Sequence, residues 1–249
     1  MNVVIIGGSG LIGRKLAALL AAAGHEVSSA SPSSGVNTVT GEGLAGALAG
    51  AEVVVDVTNS PSFEEEAVMN FFKASTASLL AAELAAGVRH HVALSVVGSE
   101  RLPDSGYLRA KVAQESLIKS AKVPYTIVRA TQFFEFLSAI AQGGTDGQTV
   151  RASSALMQPI AADDVAAALA KVVAEPALNG TCDIAGPEAF PLDELLRRRL
   201  KAAQDLRDVV RDDDAPYFGT RLGNESLIPG PGARIGTVSL DAWLGKNAA

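Results

Sequence analysis

Val3-Val4-Ile5-Ile6-Gly7-Gly8-Ser9-Gly10-Leu11-Ile12-Gly13 is the stretch that decides the fold. The apolar run Val3 to Ile6 reads as a parallel strand buried on both faces. Helical spacing takes over at Leu11 and continues to Ala23, with Leu16, Leu19 and Leu20 on one face and Gly24 as its stop. Between strand and helix, Gly7 permits a tight turn, Gly10 lets backbone N–H groups approach a diphosphate, and Gly13 lets the helix pass close to the strand. The helix amino terminus adds partial positive charge and unpaired donors, to which the Leu11, Ile12 and Gly13 amides belong. A glycine turn alone is weak evidence; one that follows a strand and opens a helix points to a dinucleotide.

The rest of the chain repeats the same grammar. His25 to Ser31 reads as a second strand, Val36 to Val39 as a minor strand, Leu44 to Leu48 as a short helix and Glu52 to Val57 as a core strand. A long helix from Glu64 to Ala86 follows, ended by Gly87, then a strand from His91 to Val97, a helix including Lys111 to Lys119 and a strand from Tyr125 to Val128. These units predict a Rossmann-like, doubly wound parallel sheet in a single NAD(P)-binding domain over residues 1–249. Residues 131–160 and 185–249 are expected to contribute a small substrate lobe. Within them, Gly143 to Gly147 reads as a turn, Val150 as the start of an edge strand, and Val165 to Val173 as a helix that Asp163 can cap. Thr181 to Ala185 adds a strand, Pro191 to Ala203 a helix, and Asp212 to Asp214 a solvated turn.

Length and composition bound the partners. A chain of 249 residues can bury a core without staples, and its one cysteine, Cys182, permits no intrachain disulfide. The net charge of −6 offers no broad basic face for nucleic acid. Apolar runs break before membrane-spanning length and no basic leader opens the chain, so a cytoplasmic protein without membrane contact is expected. The adjacent His90 and His91 point to opposite strand faces and no compact ligand set is present, so no metal is assigned.

Cofactor choice turns on the loop after the second strand. It carries Ser31, Ser33 and Ser34 and no carboxylate, which removes repulsion of a 2′-phosphate, yet it also lacks Arg and Lys, leaving compensation to Arg14 or Lys15. The reading leans slightly to NADP(H) over NAD(H); the serines read equally well as a solvated turn. Thr58 and Asn59, at the end of the next core strand, are candidates for the cofactor riboses or simply a helix cap.

Tyr107 and Lys111 are four apart and share a helix side. A lysine ammonium beside a phenol favours phenolate and can bind nicotinamide ribose hydroxyls, while the phenol exchanges a proton with a substrate oxygen. Ser95, closing the preceding strand, can orient that oxygen. Tyr107 can also be a plain loop anchor. Phe133, with Phe134 and Phe136, reads as an apolar substrate wall or as ordinary core.

The ordered set Gly7 to Gly13, Asp56 to Ser60, Ser95 to Gly98, Tyr107 to Lys111, Tyr125 to Gln132 and Pro159 to Val165 resembles the atypical short-chain dehydrogenase/reductases, specifically the NmrA-like NAD(P)-binding members. The resemblance implies diphosphate at Gly7, Gly10 and Gly13, a catalytic trio of Ser95, Tyr107 and Lys111, and a pocket shaped by Thr131, Gln132 and Phe133. It implies hydride exchange between NAD(P)(H) and a small carbonyl, alcohol or quinone-like substrate, in a monomer or homodimer. Two alternatives stand beside it: a cofactor-sensing regulator without turnover, and an isomerase or lyase that retains its cofactor.

Overall fold

Four consecutive β-branched residues leave β1 (Asn2–Ile6) little choice but extended backbone, and all four are buried. The computed structural model, which describes residues 1–246, continues with α1 (Leu11–Ala22), β2 (Glu26–Ala30), α2 (Leu44–Ala47), β3 (Val53–Asp56), α3 (Glu65–Ala86) and β4 (His90–Val96). Next come α4 (Gly106–Ser120), β5 (Tyr125–Ala130), α5 (Leu137–Gly143), β6 (Thr145–Asp146), β7 (Thr149–Ala152) and β8 (Leu156–Met157). The chain ends with α6 (Ala162–Ala174), β9 (Gly180–Ala185), β10 (Phe190–Pro191), α7 (Leu192–Ala202), β11 (Asp208–Arg211), β12 (Arg234–Ile235) and α8 (Leu240–Lys246).

The main sheet has seven strands in the order β12-β9-β5-β4-β3-β1-β2. Its register is parallel at β1–β2, β1–β3, β3–β4 and β9–β12. This is the Rossmann-like α/β architecture that the glycine turn and the alternating pattern predict. By chain contacts the molecule divides into two compact units: residues 1–95, 106–129 and 165–182, and residues 96–105, 130–164 and 183–249. Among the described residues no helix is long and apolar enough to cross a membrane.

Three local expectations are corrected. No strand forms at Val36 to Val39, because Asn37 Oδ1 takes the amides of Val39 (2.9 Å) and Thr40 (3.3 Å) and leaves only an isolated bridge from Asn37 to Glu42. The strand holding Val150 is no edge: β7 lies between β6 and β11, the latter supplied by a segment to which the sequence pattern assigns no element. Helix α6 begins at Ala162, so Asp163 lies inside its first turn and is not its cap. Asp164 accepts instead from the amides of Thr237 and Val238, both at 2.9 Å. The Asp212 to Asp214 run forms the expected turn with Asp213 and Asp214 exposed, and Asp213 accepts from the amide and hydroxyl of Ser154.

The first unit's core contains a charged pair. His91 Nδ1 on β4 lies 2.8 Å from Glu83 Oε1 on α3, both side chains fully buried, while His90 Nε2 meets Thr126 Oγ1 at 2.9 Å on a different partner set. Burial pulls the His91 imidazole down, but the charge and hydrogen bond of Glu83, helped by Asp56, outweigh it and raise its pKa. Burial raises Glu83 against the pull of His91, so the pair holds its proton more tightly than either group would alone. Groups whose folded values are raised stabilise fully below their unfolded values, and the contribution fades as pH climbs through the folded ones. Urea unfolding is therefore expected to show stability falling as pH rises above about 6.5. Glu83→Leu should flatten that slope and cost about 3–5 kcal/mol at neutral pH.

Candidate functional site

The turn after β1 is built by close approach. Gly7 has φ +84°, and a Cβ there would lie 3.1 Å from backbone atoms of Val57 and Thr58. A Cβ on Gly13 would overlap the Gly7 carbonyl oxygen and press within 2.6 Å of Gly8 Cα, so α1 can start this close to β1 only with glycine there. Gly8, to which the sequence reading gives no role, meets β2: a Cβ on it would lie 2.5 Å from Ser29 Cβ. Gly10 caps α1 without a side-chain acceptor, and no acidic residue stands in the first turn. The first-turn amides at Leu11, Ile12 and Gly13 are left to a ligand, with no carboxylate to repel an anion. These residues fit a diphosphate.

Around this turn the rim is polar. Thr58 donates its amide (3.0 Å) and hydroxyl (2.7 Å) to Asp56 Oδ1, so the Thr58 hydroxyl oxygen is left with acceptor capacity only. Asn59 is exposed, its Oδ1 accepting from the Ser60 amide at 3.0 Å. The serine loop is largely self-satisfied: Ser31 and Ser33 hydroxyls share one hydrogen bond of 2.8 Å, and Ser34 Oγ folds back on the Ser31 amide and carbonyl. One hydroxyl hydrogen of the Ser31–Ser33 pair remains to donate outward. Arg14 Nη1 donates to the Ser9 carbonyl at 2.9 Å, which holds a guanidinium beside the turn.

Tyr107 and Lys111 do share one face of α4. Both meet Phe72 of α3: the Tyr107 ring lies 6.1 Å away edge-on, and Lys111 Nζ lies 4.4 Å from the ring centroid. The exposed Phe63 flanks Tyr107 at 5.6 Å. The start of α4 meets the start of α3 at Gly106, where a Cβ would lie 2.9 Å from Glu65 Cγ, and Arg109 pairs with Glu65.

Two details of the expected chemistry are corrected here. Lys111 Nζ does not turn to the phenol; it donates to the Leu94 carbonyl at 2.9 Å and to Gln114 Oε1. Burial accordingly pushes the Tyr107 phenol up to about 12 instead of favouring phenolate. Burial pulls Lys111 down to about 8, against the opposing charges of Asp56 and Glu115. Ser95 is buried and spends its hydroxyl hydrogen on Glu115 Oε1 at 2.8 Å, so it does not donate to a substrate oxygen in this arrangement.

Glu115 itself gathers Arg129 Nε (2.8 Å), Arg129 Nη2 (2.7 Å) and Lys119 Nζ (3.0 Å). Burial raises its carboxyl, yet the hydrogen bonds from Arg129, Ser95 and Lys119 outweigh that and hold it below the ordinary carboxylate value. Asp56, Gln114 and Glu115 are the polar residues that sequence reasoning left without a role. The available signals were a carboxylate ending an otherwise apolar strand and the (i, i+3) and (i, i+4) positions after Lys111.

In the second unit Thr131, Gln132 and Phe133 follow β5. The Thr131 amide donates to the Ile184 carbonyl at 3.0 Å, and the Gln132 carbonyl accepts from the Ile160 amide at 2.9 Å. Thr131 Oγ1 and Gln132 Oε1 are buried with no hydrogen-bond partner among the described residues. Phe133 stacks on Phe136 with centroids 5.5 Å apart.

A model of the NAD(P)H-binding family matches residues 7–176, and the chain belongs to that family. Its fold is that of the short-chain dehydrogenase/reductases. A superfamily protein of that name from Agrobacterium tumefaciens, with bound NAD, superposes with a TM-score of 0.75 at 19% identity, covering 100% of this chain and 96% of that one. The dTDP-glucose 4,6-dehydratase DesIV from Streptomyces venezuelae, with NAD and TYD bound, gives 0.72 at 16% identity over 100% and 96%. RMD from Pseudomonas aeruginosa, complexed with NADPH, gives 0.68 at 16% identity over 98% and 96%. No curated protein sequence matches the chain.

The geometry separates two kinds of glycine. Gly13→Ala is expected to abolish NAD(P)H binding in calorimetry and to lower the melting temperature, since backbone must move to admit the methyl group. Gly10→Ala, whose Cβ would meet only Gly7 O at 3.2 Å, should keep the melting temperature while weakening NADPH by about tenfold or more.

Proposed function

We propose that the protein is an NAD(P)(H)-dependent oxidoreductase of the atypical, NmrA-like type, exchanging hydride with a small carbonyl, alcohol or quinone-like substrate. The observation that carries this is Tyr107, a phenol flanked by Phe63 and Phe72 on the same helix face as the buried Lys111. Gly7, Gly10 and Gly13 with the Leu11 and Ile12 amides hold the diphosphate; Thr58 and Asn59 meet the riboses. When bound, the nicotinamide supplies or takes up the hydride. Tyr107 Oη gives its proton to the substrate oxygen in reduction and takes it back in oxidation. Lys111 is assigned to the cofactor ribose, and Ser95 acts as a positioning residue through Glu115.

Thr131, Gln132 and Phe133 are assigned to the substrate, supported by the buried Thr131 Oγ1 and Gln132 Oε1 that find no protein partner. Residues 131–160 and 185–249 serve as the substrate lobe. NADP(H) is taken slightly in preference to NAD(H): the end of β2 bears no carboxylate, Arg14 stands beside the turn, and the Ser31–Ser33 pair keeps a free donor. The protein is read as cytoplasmic, a monomer or homodimer, acting on a small molecule.

A second reading, a cofactor sensor without turnover, is favoured by the engagement of Lys111 and Ser95 with internal acceptors. Turnover decides between the two. With a panel of carbonyls and quinones, Tyr107→Phe is expected to lower kcat by about 10²–10⁴-fold with NADPH affinity unchanged. Undiminished kcat in Tyr107→Phe, or no turnover in the parent, overturns the oxidoreductase reading.

The pH profile carries the same signature. Oxidation needs the phenolate, and with the phenol near 12 its kcat at saturating cofactor should climb about tenfold per pH unit through the alkaline range. Reduction uses the phenol, which stays protonated there, and should show no matching rise. Arg14→Ala should narrow the gap between NADPH and NADH dissociation constants.

A further inference from the structure

We propose that Asp56 and Gln114 are positioning residues for Lys111, and that the Asp56 carboxylate ties this lysine to the cofactor rim at Thr58. The proposal rests on the cofactor reading above and concerns groups to which that reading assigns nothing.

The connection runs through buried side chains of one compact unit. Asp56 Oδ1 accepts from the Thr58 amide and hydroxyl, and Asp56 Oδ2 accepts from Gln114 Nε2 at 3.1 Å. Gln114 Oε1 accepts from Lys111 Nζ, which also donates to the Leu94 carbonyl and faces the Phe72 ring. Gln114 is 1% exposed and Lys111 2%, so water does not substitute for these partners.

The chemistry of each position is specific. A carboxamide can accept from an ammonium at one end while donating to a carboxylate at the other. Glutamate at 114 would set two anions side by side, and leucine would leave both Asp56 and Lys111 short of a partner. The charges acting on Lys111 are Asp56 and Glu115, both opposite in sign, and Asp56 in turn acts on Glu83 and His91. The height of the ammonium above β4 is thereby set by residues that touch neither substrate nor cofactor. Because Asp56 Oδ1 also pins Thr58, a shift of that rim is felt at Gln114 and then at Lys111.

A double-mutant cycle on the full chain tests this, with NADPH affinity by calorimetry and melting temperature as readouts. Gln114→Leu is expected to weaken NADPH about tenfold while Lys111 is present and by less than about twofold in the Lys111→Met background. Equal weakening in both backgrounds overturns the proposal. So does a fall in melting temperature with affinity unchanged, the result of a merely structural glutamine.

Asp56→Asn keeps the shape should Gln114→Leu not fold. Without the Asp56 charge the lysine loses its proton sooner, so the pH above which NADPH affinity declines should move down by about one unit. An unmoved midpoint overturns the proposal. Turnover is not a readout, so a chain that binds NADPH and reduces nothing defeats the catalytic reading alone, whereas one that binds no NADPH defeats both.

Discussion

The contact between Gly13 and the Gly7 carbonyl is the constraint on which the rest depends. With no Cβ at 13, α1 begins against the end of β1, and its first-turn amides, uncapped by any side chain, open at the carboxyl end of the strand. Gly8 repeats the device against Ser29 and sets β2 beside β1. A ligand site is thus made from backbone before any side chain acts, which is why it tolerates the varied rim of serines, Thr58 and Asn59.

Side chains add a second layer, in which charge is buried and paired. Asp56 with Gln114 and Lys111, Glu115 with Ser95 and Arg129, and Glu83 with His91 link neighbouring strands to the helices packed on them. Each pair is costly to desolvate and costly to break, so such networks restrict geometry more than they add net stability. At Lys111 the restriction falls on a buried ammonium held between the Leu94 carbonyl, Gln114 and the Phe72 ring.

The frame of the fold was legible because its signals are local. Val3 to Ile6, the glycine spacing, the long helix ended by Gly87 and the β-branched run before Asp56 each declare themselves within a few residues. The misreadings arise where one side chain or a distant segment decides. Asn37 captured the donors that a strand at Val36 to Val39 would have needed, and β7 became central only because Asp208 to Arg211 paired with it from far along the chain. At the site, the Tyr107 and Lys111 spacing revealed a shared helix face but not where the lysine nitrogen points. That was decided by Leu94 and Gln114, partners that no (i, i+4) rule between tyrosine and lysine encodes.

The missing strand leaves β2 as the outermost rung of the sheet, with Ser28 and Ser29 exposed on opposite faces of the strand and Glu26 at its start. Its free amides and carbonyls would template fibrous growth if the strand were long and greasy. The strand is only five residues long, and Glu26 with the two hydroxyls of Ser28 and Ser29 keeps it hydrated and unattractive to another chain. Ser28 and Ser29 therefore protect the margin of the sheet, and an apolar replacement at Ser28 would trade that protection for stickiness.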